Sequence, residues 1–207
     1  QTTTIAVGGA FIDPRSSSTD VTGAYTPSGL SLHVQKQDTL YASITRSFTE
    51  NWSVELALGV PPTHDVDIRV SNPALPPSVQ GASGTVVAKV RQVGPTLFGK
   101  YTFGTRTAVW RPYVGLGVNM TRFDKADSTS GGDAFNGGAT SITLSKANGL
   151  AACAGIDYKL GGAWSAHLGL ATTQLKTTMK SNTLGITRSA EVTLKPIITT
   201  LAIGYSF

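Results

Sequence analysis

The sequence predicts an all-β chain folded as an eight-stranded antiparallel transmembrane β-barrel, with long extracellular loops at one end and short periplasmic turns at the other. Three observations carry this. Segments of about ten residues alternate apolar with small or polar side chains, the length and period of strands that cross a bilayer at a tilt. The connections between them alternate between long and short, as in outer-membrane barrels. Composition agrees: 14% of residues are charged and 23 of 207 are Gly, whereas a soluble domain carries roughly 25% charged residues. Mean hydropathy is +0.03, and no apolar run of roughly 20 residues is present, which excludes a helical membrane protein.

Eight segments with period two follow one another. Residues 3–11 place Ile5, Val7 and Phe11 on one face. Residues 39–48 place Leu40, Ala42 and Ile44 outward, and Thr49-Glu50-Asn51 makes a short turn. Residues 52–59 alternate Trp52, Val54, Leu56 and Leu58 against Ser53, Glu55, Ala57 and Gly59. The remaining strands are expected at 90–103, 110–123, 148–160, 163–175 and 192–207. In the last, Phe207, Tyr205, Ile203 and Leu201 alternate with Ser206, Gly204, Ala202 and Thr200. A strand closing on Phe207 resembles the signal read by the barrel-insertion machinery.

Long connections are expected at 12–38, 60–89, 124–147 and 176–191, and short ones at 49–51, 104–109 and 161–162. The whole chain, 1–207, reads as a single outer-membrane barrel domain, multi-pass in the bacterial outer membrane. Gln1 reads as the start of a mature chain. Cys153 is the only Cys, so no internal disulfide forms, and an unpaired Cys is expected to be buried. The net charge is +5 without a run of like charge, which gives no support to nucleic-acid binding. A basic excess over 176–195 suits the phosphates of lipopolysaccharide.

Pro95, Pro112 and Pro196 fall inside apparent strands, where proline removes a ladder donor. Pro112 lies near a short turn and reads as strand-end punctuation. Pro95 and Pro196 lie farther away and read as interruptions of the wall, a candidate lateral opening.

Several motifs then resemble one family. Asn51-Trp52-Ser53-Val54-Glu55-Leu56, Gly94-Pro95-Thr96-Leu97, and Arg111-Pro112-Tyr113-Val114-Gly115-Leu116-Gly117-Val118-Asn119 look like the OmpW/AlkL family of small outer-membrane barrels. Gly155-Ile156-Asp157-Tyr158 and Gly204-Tyr205-Ser206-Phe207 continue the match in order. The resemblance implies a barrel that takes up small hydrophobic molecules through an apolar funnel and releases them sideways through a gap in the wall. The chain departs from the family at Gly94-Pro95, at Met120 and at Val60-Pro61-Pro62, so the identity of the cargo does not carry over.

Strand phase adds its own expectations. Glu55, Lys100, Arg111, Asp157 and His167 point into the lumen near the short turns, as a charged plug at the periplasmic end. Charges in a narrow barrel persist only when paired. Higher in the lumen, Tyr41, Phe98, Phe123, Leu175, Leu194 and Ile198 form an apolar path, extended in the loops by Tyr25, Leu30, Leu32, Val66, Ile68, Leu75 and Phe135. Eight strands leave a lumen filled by side chains or holding one small ligand, and not a wide pore. His33, His64 and His167 show no metal-ligand spacing, no nucleophile elbow is present, and no cofactor is expected. The reading is therefore a passive channel for small hydrophobic solutes. The alternatives are a structural or adhesive barrel with a filled lumen, a lipid-modifying enzyme, and a soluble ligand-binding barrel.

Overall fold

The computed structural model describes residues 2–207; the reading of Gln1 lies outside the described residues. β1 (Thr2–Asp13) runs up to a long connection that holds β2 (Ser16–Ser18), β3 (Thr22–Gly23) and β4 (Leu30–Val34). β5 (Gln37–Ser47) descends and β6 (Trp52–Gly59) returns. A second long connection holds β7 (Thr63–Val70), α1 (Pro77–Gln80) and β8 (Val86–Val93) before β9 (Thr96–Thr102) descends. β10 (Trp110–Ser128) rises to α2 (Ser130–Asn136) and β11 (Thr140–Leu144), and β12 (Ala147–Gly161) descends. β13 (Trp164–Thr173), the hairpin β14 (Leu175–Thr183) and β15 (Ile186–Leu194), and β16 (Ile197–Ser206) complete the chain.

Eight of these strands close a barrel in the order β1, β5, β6, β9, β10, β12, β13, β16 and back to β1, every pair antiparallel. Register follows from the alternation. Ile5 faces both Tyr205 and Ile44, and Val7 faces Ile203, so outward residues meet outward residues. The outer belt includes Leu116 and Leu150, 76% and 80% exposed, as a lipid-facing wall requires. Aromatics gather at the short-turn end, where Trp52 meets Tyr101, Trp110 meets Tyr158, and Trp164 meets Tyr205. Phe207 is bonded through its backbone to Thr3 in both directions. On the inner face small residues make room for large ones. Added Cβ atoms at Gly155 and Gly169 would both press on the Tyr113 hydroxyl, so these glycines let the Tyr113 ring lie across the lumen.

Three expected strands divide. The 90–103 segment breaks at Gly94-Pro95 into β8 and β9, 163–175 ends at Thr173, and 192–207 breaks at Lys195-Pro196 into β15 and β16. Proline supplies no ladder donor and fixes φ, so the chain changes sheet at both breaks. The long connections are likewise not open loops. They form a second sheet ordered β4, β7, β8, the upper part of β10, β11, β14, β15 and β2, with β3 also on β15. Its apolar core contains Leu30, Leu32, Val66, Ile68, Leu175 and Leu194, with Leu75 and Phe135 packed against it. Tyr25 stands 89% exposed at its outer edge, where it borders the cavity inside this sheet. Burying these side chains, at about 25 cal/mol per Å² of apolar surface removed from water, is what makes the extension fold as a sheet.

Candidate functional site

Four cavities lie in sequence along the barrel axis. The outermost, about 500 Å³, lies inside the upper sheet between Leu32, Val79, Phe135 and Met179. Met179 also lines a neck of about 20 Å³ together with Phe123, His64 and Leu194. Below it His64, Gln92 and Leu194 border a lumen cavity of about 140 Å³ that reaches Tyr41, Phe98 and Glu55. Beneath that is a polar vestibule of about 320 Å³ lined by Lys100, Arg111, Asp157 and His167.

Of the expected apolar path, Tyr41, Phe98, Leu194 and Ile198 line the lumen cavity, and so does Pro196 of the expected lateral opening. Phe123 and Leu175 do not. Phe123 stands at the neck, and Leu175 is 1% exposed inside the core of the upper sheet. The reason is that β13 ends at Thr173, so Leu175 starts a new hairpin whose phase is set by the upper sheet.

The charged residues separate into two groups. Glu55 and Lys100 are 8% and 4% exposed and bond at 2.7 Å. Glu55 also accepts from the Tyr41 hydroxyl and from Thr45 Oγ1, each at 3.1 Å, and Lys100 Nζ lies 3.7 Å from the centre of the Tyr113 ring. These contacts satisfy both ions between the lumen cavity and the vestibule. Asp157 lies on β12 directly across from Arg111 but bonds His167 Nδ1 at 2.7 Å, and His167 Nε2 meets Ser165 Oγ at 2.9 Å. Arg111 donates instead to the Glu50 carbonyl at 2.7 Å. The Ser165, His167, Asp157 chain has the order of a hydrolytic triad. It is pressed against the wall, because a Cβ on Gly204 would fall against His167 Nε2 and lie 3.1 Å from Ser165 Oγ.

The wall is interrupted beside the lumen cavity in two places. β6 and β9 pair as far as Ala57 and Thr96, and the next backbone bond across that seam is Gln92 N to the Pro62 carbonyl at 3.0 Å. Residues 58–61 therefore face 93–95 unpaired, over about 13 Å at the rise of an extended strand. Leu58, Gly59, Pro62 and Gly94, which border this seam, all line the lumen cavity. The second interruption is shorter. β13 and β16 pair up to Thr172 and Ile197, and β14 and β15 resume at Leu175 and Leu194, leaving 173–174 opposite 195–196.

Pro95 borders the first seam without opening it. Its carbonyl accepts from Met120 N at 3.0 Å, and N–H and C=O of one residue in an antiparallel strand point to the same side. The donor that Pro95 lacks thus faces β10. On that side Asn119 compensates, with Nδ2 bonded to Thr96 Oγ1 at 2.8 Å and to the Gly94 carbonyl at 3.3 Å. The seam opens because β6 diverges at Gly59-Val60-Pro61, where Val60 N is held by the Leu40 carbonyl at 2.9 Å.

Sequence reasoning missed His64, Gln92, Met179 and Arg188. His64, Met179 and Arg188 lie in segments read as long connections, and Gln92 lies in the expected strand 90–103, just before its break at Gly94-Pro95. The signal was nonetheless present: Arg188, Ala190, Val192 and Leu194 share one face by period two. His64 is 3% exposed, with Nδ1 bonded to the Gln35 carbonyl at 3.1 Å. Burial holds its imidazole below the usual histidine value.

Comparison with known proteins places this architecture. The OmpW family model matches residues 3–207. Outer membrane protein W of Vibrio cholerae serotype O1 is 29% identical over 205 residues, covering 98% of this chain and 87% of that protein. The crystal structure of the outer membrane protein OprG from Pseudomonas aeruginosa superposes with a TM-score of 0.86 at 29% identity, covering 100% of this chain and 95% of that one. Outer membrane protein AlkL, in a structure determined in DMPC lipid bilayers, shares the fold with a TM-score of 0.66 at 21% identity, over 99% of this chain and 90% of its own. From the closed eight-stranded barrel, its apolar belt and a family match along nearly its whole length, the chain belongs to the OmpW family and is a β-barrel protein of the bacterial outer membrane.

Proposed function

We propose that the protein is a passive channel for small hydrophobic molecules. A solute enters the apolar outer cavity, passes the neck at Met179 and reaches the lumen cavity. There the Glu55–Lys100 pair blocks the way down, because stripping water from those ions costs several kcal/mol, and the solute leaves sideways through the seam between 58–61 and 93–95. No energy source is required, since partition into apolar surface drives entry at about 25 cal/mol per Å² buried. The observation that carries the reading is a lumen cavity bordered at once by a buried ion pair below and an unpaired seam at its side. The resemblance to the OmpW/AlkL motifs implies the same activity. Basic side chains of the upper sheet meet lipopolysaccharide phosphates in this reading, and Phe207 serves recognition by the insertion machinery.

The test is Gly59→Trp. A Cβ at Gly59 meets only the Leu40 carbonyl at 3.5 Å and Thr39 Cγ2 at 3.6 Å, ordinary contacts, so a bulky side chain fits on the lumen cavity beside the seam without forcing the backbone. Initial uptake of a neutral apolar dye into proteoliposomes falls several-fold, while heat-modifiability on a gel is retained. Unchanged uptake by a folded Gly59→Trp barrel removes the lateral route. Absence of uptake by the native protein supports instead a structural or adhesive barrel.

A further inference from the structure

The outer cavity holds one feature that transport of neutral solutes does not need. Arg188, on β15, is the only charged side chain lining it among the described residues, in a wall otherwise made of apolar and small polar groups such as Leu32, Val79, Phe135 and Met179. Its Nε donates to Thr26 Oγ1 at 3.1 Å. Its Nη1 is buried and has no hydrogen-bond partner, and no carboxylate lies within ion-pair distance among the described residues. The acidic residues nearby are engaged elsewhere: Asp133 Oδ1 accepts from Thr140 N at 3.0 Å, and Asp20 Oδ2 from Gly29 N at 2.7 Å.

Arginine keeps its charge, and a buried donor such as Nη1 without a partner is costly. The planar fork of the guanidinium matches a carboxylate or another anionic oxygen pair. The cavity is of drug size and is lined by one cation among apolar groups, so charge and polarity both specify the complement. The neck below encloses only about 20 Å³ at Met179 and Phe123, which favours a slender occupant.

We propose that the outer cavity selects a single-tailed amphiphile with one anionic headgroup, bound by Arg188, before its tail threads the neck. The inference rests on the uptake reading and assigns it a substrate class. Arg188 holds the head at the mouth while the tail replaces water against the apolar wall. Lipids with several tails share the head chemistry but not the fit to the neck.

The experiment measures initial uptake of decanoate and of decanol, at pH 7.5 and below saturation, into phosphatidylcholine proteoliposomes. Arg188→Met slows decanoate about ten-fold or more, the worth of a hydrogen bond to a charged group, and leaves decanol within about two-fold. A second variant keeps the test open if Arg188→Met fails to insert. Ser181 lies directly across from Arg188 and lines the same cavity, so Ser181→Asp supplies an internal carboxylate and slows decanoate with Arg188 intact. Equal effects on both solutes, or none on decanoate in a heat-modifiable barrel, overturn the assignment. An Arg188-dependent response that appears only when the vesicles contain lipopolysaccharide also overturns it, in favour of a lipid headgroup. If the native protein carries decanol without distinguishing decanoate, this inference fails and the uptake reading stands; if it carries neither, the uptake reading itself fails.

Discussion

Removing the Lys100 ammonium is the sharpest test of the barrel floor. Coulomb's law at an effective dielectric of about 20 gives an attraction of about 6 kcal/mol across the 2.7 Å between Lys100 Nζ and Glu55 Oε2. Most of this offsets the cost of taking both ions out of water. Lys100→Met therefore strands a carboxylate that is 8% exposed, and the expected loss is about 3–5 kcal/mol. Glu55→Gln is milder. With its oxygen in the place of Oε2 the amide still accepts from Thr45 and Lys100, its Nε2 donates to the Tyr41 hydroxyl oxygen, and the Tyr113 face still holds the ammonium, so the loss is about 1–2 kcal/mol. The double variant Glu55→Leu/Lys100→Met strands neither ion and lies near the native protein or above it, as buried pairs replaced by apolar groups do. Urea unfolding in micelles reads all three through Trp52, Trp110 and Trp164, which sit in the girdle at this end of the barrel. With a slope of about 2 kcal/mol per M, Lys100→Met lowers the midpoint by about 1.5–2.5 M. A drop below about 0.5 M would mean that water screens the pair as it does a surface bridge, and the floor would not be a barrier.

Three further outcomes follow from the geometry. Gly155→Val drives a side chain into the Tyr113 hydroxyl and costs about 1–3 kcal/mol of overpacking; Gly9→Ala, with nothing within 4 Å of the new Cβ, leaves the urea midpoint unchanged or raises it. Because burial lowers the His64 pKa from 6.5, the unfolded chain takes up the proton first. The stability from neutral His64 is complete above about pH 6.5 and is lost as pH falls toward the folded value. The urea midpoint of the native protein accordingly drops between pH 7 and pH 5 more than that of His64→Gln, and equal slopes would refute the assignment. Pro95→Val restores a donor toward β10 rather than into the open seam, so dye uptake stays within about two-fold of native, and a several-fold fall would show that residue 95 does govern the seam.

Lipid-facing strands carry their own signature, because a wall with lipid on one side must alternate. Ile5, Val7, Leu201, Ile203 and Tyr205 could be phased from period two alone, and the same phase put Glu55, Lys100, Asp157 and His167 on the inner face. Which charge meets which was not legible. Asp157 pairs with His167 rather than with Arg111, although Arg111 is its cross-strand neighbour, because side-chain reach decides partners once register is set. The upper sheet was also hidden. Residues 60–89 and 176–191 look like loops when the apolar belt is taken as the end of regular structure, yet Val66 and Ile68, and Arg188 and Ala190 in phase with Val192 and Leu194, continue the alternation above it. The seam shows the same division. The chain announces its prolines, but only the direction of the Pro95 carbonyl toward Met120 shows that the missing donor faces β10 and that the opening lies where β6 turns away at Gly59-Val60-Pro61. Local pattern thus determined strand, face and membrane, since each depends on neighbours two residues apart. Partners, cavities and the uncompensated Arg188 depend on residues brought together from distant strands, and only the closed barrel and the sheet above it decided those.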